Sequence, residues 1–275
     1  MKSVIAGALG LKYEPVAILL TNEKPANAVQ FKEGKFSCVM FMLAAAVRGR
    51  QAVFDRKTFG CPGGGVGLGF GNQYKNFPGG EEAFCYFLST GNTESEPGMQ
   101  VVETVKPFIS DELYNELVYG ERYVKTPDLV MKFIECLPIT DVPFEYVVFK
   151  PLGQVDEDKE KPETVVFLAD MDQLSALVVL ASYERESNEA VIIPQAAGCQ
   201  TIGIYPFNEA QHEHPRAVVG LTDISARVQI KRQLKDDVMS FAVPLAMFRE
   251  MEANVPGSFL ERHTWKELMK LKQIK

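Results

Sequence analysis

The residues of this 275-residue chain with the widest chemical reach are its five cysteines, Cys38, Cys61, Cys85, Cys136 and Cys199. No two of them form a Cys-x-x-Cys pair, so the strong zinc and thioredoxin spacings are missing, and any site that shares thiols must be assembled from distant stretches. Three of the five have neighbours that would present a thiol. Cys61 stands in Gly60-Cys61-Pro62-Gly63-Gly64-Gly65, a turn in which proline fixes the backbone and removes an amide donor. A Cys-Pro pair is also how one ligand of bacterial ferredoxin clusters is presented. Cys38 follows Ser37, the expected N-cap of a helix ending at Gly49, where first-turn amides and the helix dipole should lower its pKa and favour the thiolate. The alternative for Cys38 is a small buried residue on an apolar helix. Cys199 follows Gly198 among small residues, after the apolar run 190–194. Cys85, between Phe84 and Tyr86-Phe87, reads as core, and Cys136, without a glycine or basic neighbour, as structural.

Beyond Cys61, glycine falls at every second position from residue 63 to residue 71. An extended chain there would show one face with no side chains, free to take another backbone, a ligand or a flat cofactor. Two familiar phosphate loops fail on spacing. Gly65-x-Gly67 is followed by Phe70 where a dinucleotide fingerprint needs glycine, and no glycine between 60 and 80 precedes a lysine as a Walker loop requires. Of the three histidines, His212 and His214 lie two apart beside Pro215 in a polar stretch, which reads as an exposed loop and not a metal site.

Elements to position these residues are legible on both sides of them. Strands are expected at 13–21, 51–55, 144–150, 164–168, 190–194, 216–223 and 239–244, and helices at 37–49, 80–91, 110–118, 126–131, 170–183 and 245–253. A basic amphipathic helix at about 259–273, docked by Leu260, Trp265, Leu268 and Leu271, would close the chain. The alternation of strand and helix predicts an α/β or α+β fold, a mixed β-sheet with helices packed on it in one compact domain spanning 1–275. With 46% hydrophobic and 24% charged residues the composition is that of a soluble globular protein. The net charge of -7 argues against a nucleic-acid partner. No apolar run approaches the ~20 residues of a membrane span, and no signal peptide is recognised at the N-terminus, so a cytoplasmic protein without a disulfide framework is expected.

The chain resembles the domain-of-unknown-function 169 family of bacteria and archaea. The likeness runs through Leu11-Lys12-Tyr13-Glu14-Pro15-Val16-Ala17, Phe36-Ser37-Cys38 and Cys61-Pro62-Gly63-Gly64, and more loosely through 174–183 and Gly198-Cys199. The resemblance implies a fold and a site but assigns no reaction. Some relatives have a further cysteine near the position of Asp223, so this chain departs from a four-cysteine pattern there, although a carboxylate can also bind iron or zinc. The leading expectation is therefore a cofactor, an iron–sulfur cluster or zinc, held by Cys38, Cys61 and Cys199 with Asp223 as fourth ligand, and covered by Gly60, Pro62, Gly63, Gly64 and Gly65. Such a site would serve a small-molecule ligand or a redox partner. A second reading is a metal-free protein that binds a small molecule or anion through the amides of residues 63–71. A thiol enzyme with Cys61 as nucleophile is a third, and a purely structural use of cysteines and glycines a fourth.

Overall fold

Pro15 ends a polar turn and releases an apolar run that becomes a strand buried over its first four residues. From there β-branched and aromatic residues build a seven-stranded mixed sheet. The computed structural model describes residues 1–273. In chain order the first part holds α1 (Val4–Leu9), β1 (Val16–Thr21), α2 (Val39–Ala46), β2 (Ala52–Phe54) and α3 (Pro62–Gly67). A helical stretch follows, with α4 (Gly80–Leu88), α5 (Glu96–Val105), α6 (Asp111–Tyr119) and α7 (Pro127–Glu135). The chain then returns to the sheet through β3 (Tyr146–Pro151), β4 (Thr164–Ala169), α8 (Met171–Ala181) and β5 (Val191–Ile192). The rest comprises α9 (Gly198–Ile202), α10 (Ile204–Glu209), β6 (Ala217–Gly220), α11 (Ile224–Leu234), β7 (Met239–Pro244), α12 (Leu245–Ala253) and α13 (His263–Gln273).

Two compact units result, one made of Met1–Phe70 with the chain from Asp141 onward, the other of Gly71–Thr140. The first contains the whole sheet, in the order β2-β3-β1-β4-β7-β6-β5, with all neighbours antiparallel except β5 and β6. Side chains alternate between its faces. Ala17, Leu19, Val165, Phe167, Phe241 and Val243 face a core shared with α1, α8, α12 and Trp265. Val16, Ile18, Phe54, Phe149, Val166 and Ala242 face a second core with α2, α9, α11 and the Leu68–Phe70 turn. Helices therefore cover both faces, as expected for strands that read as continuous apolar runs. The second unit is helical, its core formed by Val102, Leu117 and Val118 with partly buried Phe77, Phe87 and Met99.

Local signals set several elements as the sequence predicts. Asp170 caps α8 in a reciprocal box, its carboxylate accepting from the Gln173 amide while the Gln173 side chain accepts from the Asp170 amide, both at 3.1 Å. Ser110 and Thr126 cap α6 and α7. Three expectations need correction, and one helix falls outside the expected set. The glycine run is not extended: Cys61 caps it, Pro62 occupies the first turn, and it coils into α3 before Gly69 and Gly71 turn the chain at positive φ. The N-cap of α2 is Cys38, one residue beyond Ser37. The first residues form α1, whose N-cap Ser3 is held by Glu252 from α12. At the other end a short turn at Phe259–Glu261 precedes α13, and while Leu260 and Trp265 are buried, Leu271 is exposed.

Candidate functional site

Cys38, Cys61 and Cys199 come from three separate stretches and arrive at the starts of three helices. Cys38 is the N-cap of α2, Cys61 the N-cap of α3, and Cys199 lies in the first turn of α9. Asp223 is the N-cap of a fourth helix, α11. The backbones that carry them are joined. The Ser37 amide donates to the Gly60 carbonyl at 3.3 Å, which lays the two segments side by side one residue before each thiol. Gly60 has φ +85°, and a Cβ there would strike the Ser37 carbonyl, so only glycine permits the approach.

The glycines of α3 have a different task from the one their spacing predicts. A Cβ on Gly67 would meet the Cys199 carbonyl carbon at 2.7 Å and its Sγ at 2.8 Å, and one on Gly64 would meet Val39 Cγ2 at 2.9 Å. Bare positions thus let α3 wedge between α9 and α2. The Cys199 thiol donates to the Gly63 carbonyl at 3.1 Å, and the Gly64 amide donates to Cys61 Sγ at 3.2 Å. The amides of Gly65, Leu68, Gly69, Phe70 and Gly71 also find carbonyl partners within the chain. The stretch is accordingly a packed helix and turn, not a bare strand laid over a cofactor. Gly203 was not singled out from the sequence, yet a Cβ on it would strike the Gly67 carbonyl. Its signal is a glycine five residues after Gly67's partner segment begins, at Gly198.

Asp223 ties the remaining helices together. One carboxylate oxygen accepts from the Ser225 amide at 2.9 Å, capping α11, and the other faces the Gly198 amide at 3.4 Å, at the start of α9. Gly198 is squeezed between α11 and α2, where a Cβ would meet Ala226 at 2.9 Å and Met40 Sδ at 3.2 Å.

The electrostatics of this cluster oppose the lowered thiol pKa that a helix start would give Cys38. Burial first, then the neighbouring Cys61 and Asp223, push the Cys38 thiol up to about 12, and the Met40 amide offsets only part of this. Cys199 is pushed well above its ordinary value by burial and by Cys61, Cys38 and Asp223. Burial also raises the Asp223 carboxyl, against the pull of the Ala226, Gly198 and Ser225 amides. The Cys38 and Cys199 thiols are both raised by Cys61 and Asp223. Cys199 is buried, while Cys38 and Cys61 are half-buried, so one side of the cluster is open to solvent. As the side chains stand, no three His, Cys, Asp or Glu groups among the described residues are placed to hold a metal ion. The other two cysteines lie elsewhere: Cys85 is buried in α4 and Cys136 is exposed at the end of α7. His212 and His214 are exposed in the turn after α10.

No helix among the described residues is long and apolar enough to cross a membrane. No curated protein and no solved structure matches the chain. A family model described as uncharacterised ArCR matches residues 4–254, nearly the full length, and the chain belongs to this domain-of-unknown-function 169 family.

Proposed function

We propose that the protein holds a thiolate-ligated cofactor, an iron–sulfur cluster or zinc, on Cys38, Cys61 and Cys199. The observation that carries this reading is the meeting of three thiols from distant parts of the chain, with Asp223 beside them, in a partly buried place. Grouped acids in a low-dielectric setting raise one another's pKa, and a bound cation is the natural relief. Three thiols with one oxygen nearby are a soft donor set, the kind that selects zinc or iron–sulfur chemistry over magnesium or calcium. The backbone is already gathered by the α3 glycines, so loading calls for deprotonating the thiols and rotating them inward. The metal-free anion reading is weaker, because amides of the glycine stretch are engaged within the chain.

The test is iron, zinc and acid-labile sulfide content, with a visible spectrum, on protein purified without oxygen, beside Cys61→Ser and Cys85→Ser. Metal present in the parent and in Cys85→Ser, and lost in Cys61→Ser, is the expected result. Equal content in all three samples, or none in any under these conditions, overturns the reading.

A further inference from the structure

We propose that the face formed by α8 and α13 docks a second copy of this chain, about a two-fold axis that pairs Asp172 of each copy with Arg262 of the other. This face lies over the core that Ala176, Leu177 and Trp265 share with the sheet, on the side opposite Cys199, and it does not depend on the thiol cluster.

α8 and α13 run past one another in opposite directions. Lys272, in the last turn of α13, pairs with Asp170, the cap at the start of α8. Further along, the Gln173 side chain donates to the Gly10 carbonyl at 3.1 Å, and a Cβ on Gly10 would meet Met269 Cε at 4.0 Å, so Gly10 stands between matching turns of the two helices. A hollow of about 330 Å³ lies between them, walled by Ala176 and Val179 from α8, Trp265 and Leu268 from α13, and Phe259 from the turn before α13. The apolar surface continues beyond the hollow. Met171, one turn before the lining residue Ser175, is 83% exposed, Leu271, one turn after Leu268, is 58% exposed, and Val179 itself is 49% exposed. Single exposed apolar side chains are ordinary, whereas a contiguous group of them marks an interaction surface.

Charge identifies the occupant. Asp172 and Arg262 also line the hollow, and neither forms an ion pair among the described residues. The antiparallel run puts Asp172 where α8 begins and α13 finishes, and Arg262 at the other end, beside the start of α13. Seven residues of α8, from Asp172 to Val179, set these ends about 10 Å apart. An apolar face with an acid at one end and a base at the other is complementary to itself when turned end for end. A two-fold axis midway between the charges, at right angles to the line joining them, sets each Asp172 against Arg262 of the second copy, and both pairs form together. The apolar side chains are then covered in the centre and the charges stand at the rim.

Sedimentation velocity over a range of concentrations reads the monomer–dimer constant. Emission from Trp265, the only tryptophan of the chain, reports from the wall of the hollow whether each variant keeps its fold. The samples are the parent, Val179→Glu, Asp172→Arg, Arg262→Asp and the double variant that combines the two reversals. The parent should form a dimer and nothing larger, since a two-fold contact closes. Each single reversal should raise the dissociation constant by about tenfold or more, because symmetry sets two like-charge pairs where two opposite ones stood. The double variant should return to within about threefold of the parent. Such recovery separates contact from damage to α8, because the double variant carries both substitutions. Val179→Glu puts a carboxylate into the apolar centre and should leave only monomer. A parent that stays monomeric, association that grows beyond two copies, a dimer indifferent to the single reversals, or a double variant no better than either single overturns the inference. So does a monomeric parent whose Trp265 emission shifts on adding 1-anilinonaphthalene-8-sulfonate, which would assign the hollow to a small apolar ligand instead.

Discussion

Replacing Gly67 by alanine tests whether the glycines of α3 exist to bring Cys199 to the site. The added carbon would lie 2.7 Å from the Cys199 carbonyl carbon, 2.8 Å from its Sγ and 2.8 Å from the Gln200 amide nitrogen. Ordinary carbon contacts sit at about 3.5–4.0 Å, so α3 and α9 must part by roughly 0.8–1.3 Å. Two of the three obstacles are backbone, which cannot turn aside as a flexible side chain does. Overpacking of this kind costs about 1–3 kcal/mol, and the gain in helix propensity returns about 1 kcal/mol. The net expectation is a loss near 1 kcal/mol, or about 2–4 °C in Tm. The displacement is several times the ~0.2 Å tolerance of metal–ligand distances, so metal affinity should fall at least tenfold. The control is Gly7→Ala in α1, where a Cβ meets nothing within 4 Å and stability should rise by about 0.5–1 kcal/mol. Thermal unfolding with metal analysis reads both variants. A Gly67→Ala protein as stable as the parent, with its metal content intact, would refute the argument that bare glycine surface positions Cys199.

Two further outcomes rest on buried acids away from the site. Burial first, then Glu81, Glu82 and Asp128, push the Cys85 thiol up to about 11 from an ordinary 9.0. A folded pKa above the unfolded one means that its contribution is complete below pH 9 and lost between pH 9 and 11. The difference is worth about 3 kcal/mol, and denaturant titrations at pH 8 and 11 should show the parent losing that much more than Cys85→Ala. Glu209 is 2% exposed in α10, and its carboxylate accepts from the Arg216 backbone amide, Nε and Nη2 at 2.9, 3.1 and 2.7 Å. Burial alone would raise its carboxyl, and Arg216 reverses this, holding it below the ordinary value. Arg216→Ala removes the guanidinium and leaves the buried carboxylate only the backbone amide of residue 216, at a cost of about 3–5 kcal/mol at neutral pH. That penalty should shrink as the pH falls toward 4 and the carboxyl protonates; a penalty independent of pH would show that Arg216 acts by packing alone.

The parts of this protein that were readable from the chain are those decided locally. The cap at Asp170 with Gln173 three residues on, Ser110 before Asp111-Glu112 and Pro127 after Thr126 all mark helix starts where they are found. The apolar run from Thr164 and the step from Pro244 into α12 are likewise in place, because such strands are covered on both faces. What failed depended on partners far away in sequence. Alternate glycines mimic the period of a strand, and only Cys199, more than a hundred residues on, explains why a helix should be bare at Gly67. The dipole argument for Cys38 was sound for an isolated helix, but burial and the acids from α3 and α11 outweigh it. The start of α1 is set by Ser3 and by Glu252, 249 positions later. The candidate ligands themselves were legible because each stands at a local stop or start signal, Gly60-Cys61-Pro62 above all.

The residues that flank Gly71–Thr140 form a short antiparallel bridge, Phe70 with Asp141, and the Val142 amide donates to the Gly69 carbonyl at 2.8 Å. Departure and return of the chain therefore occur at one doorway a single bridge wide. For a gene, this is a natural cassette boundary. Replacing those seventy codons by a two-residue hairpin turn should leave every strand of the sheet with its present neighbours.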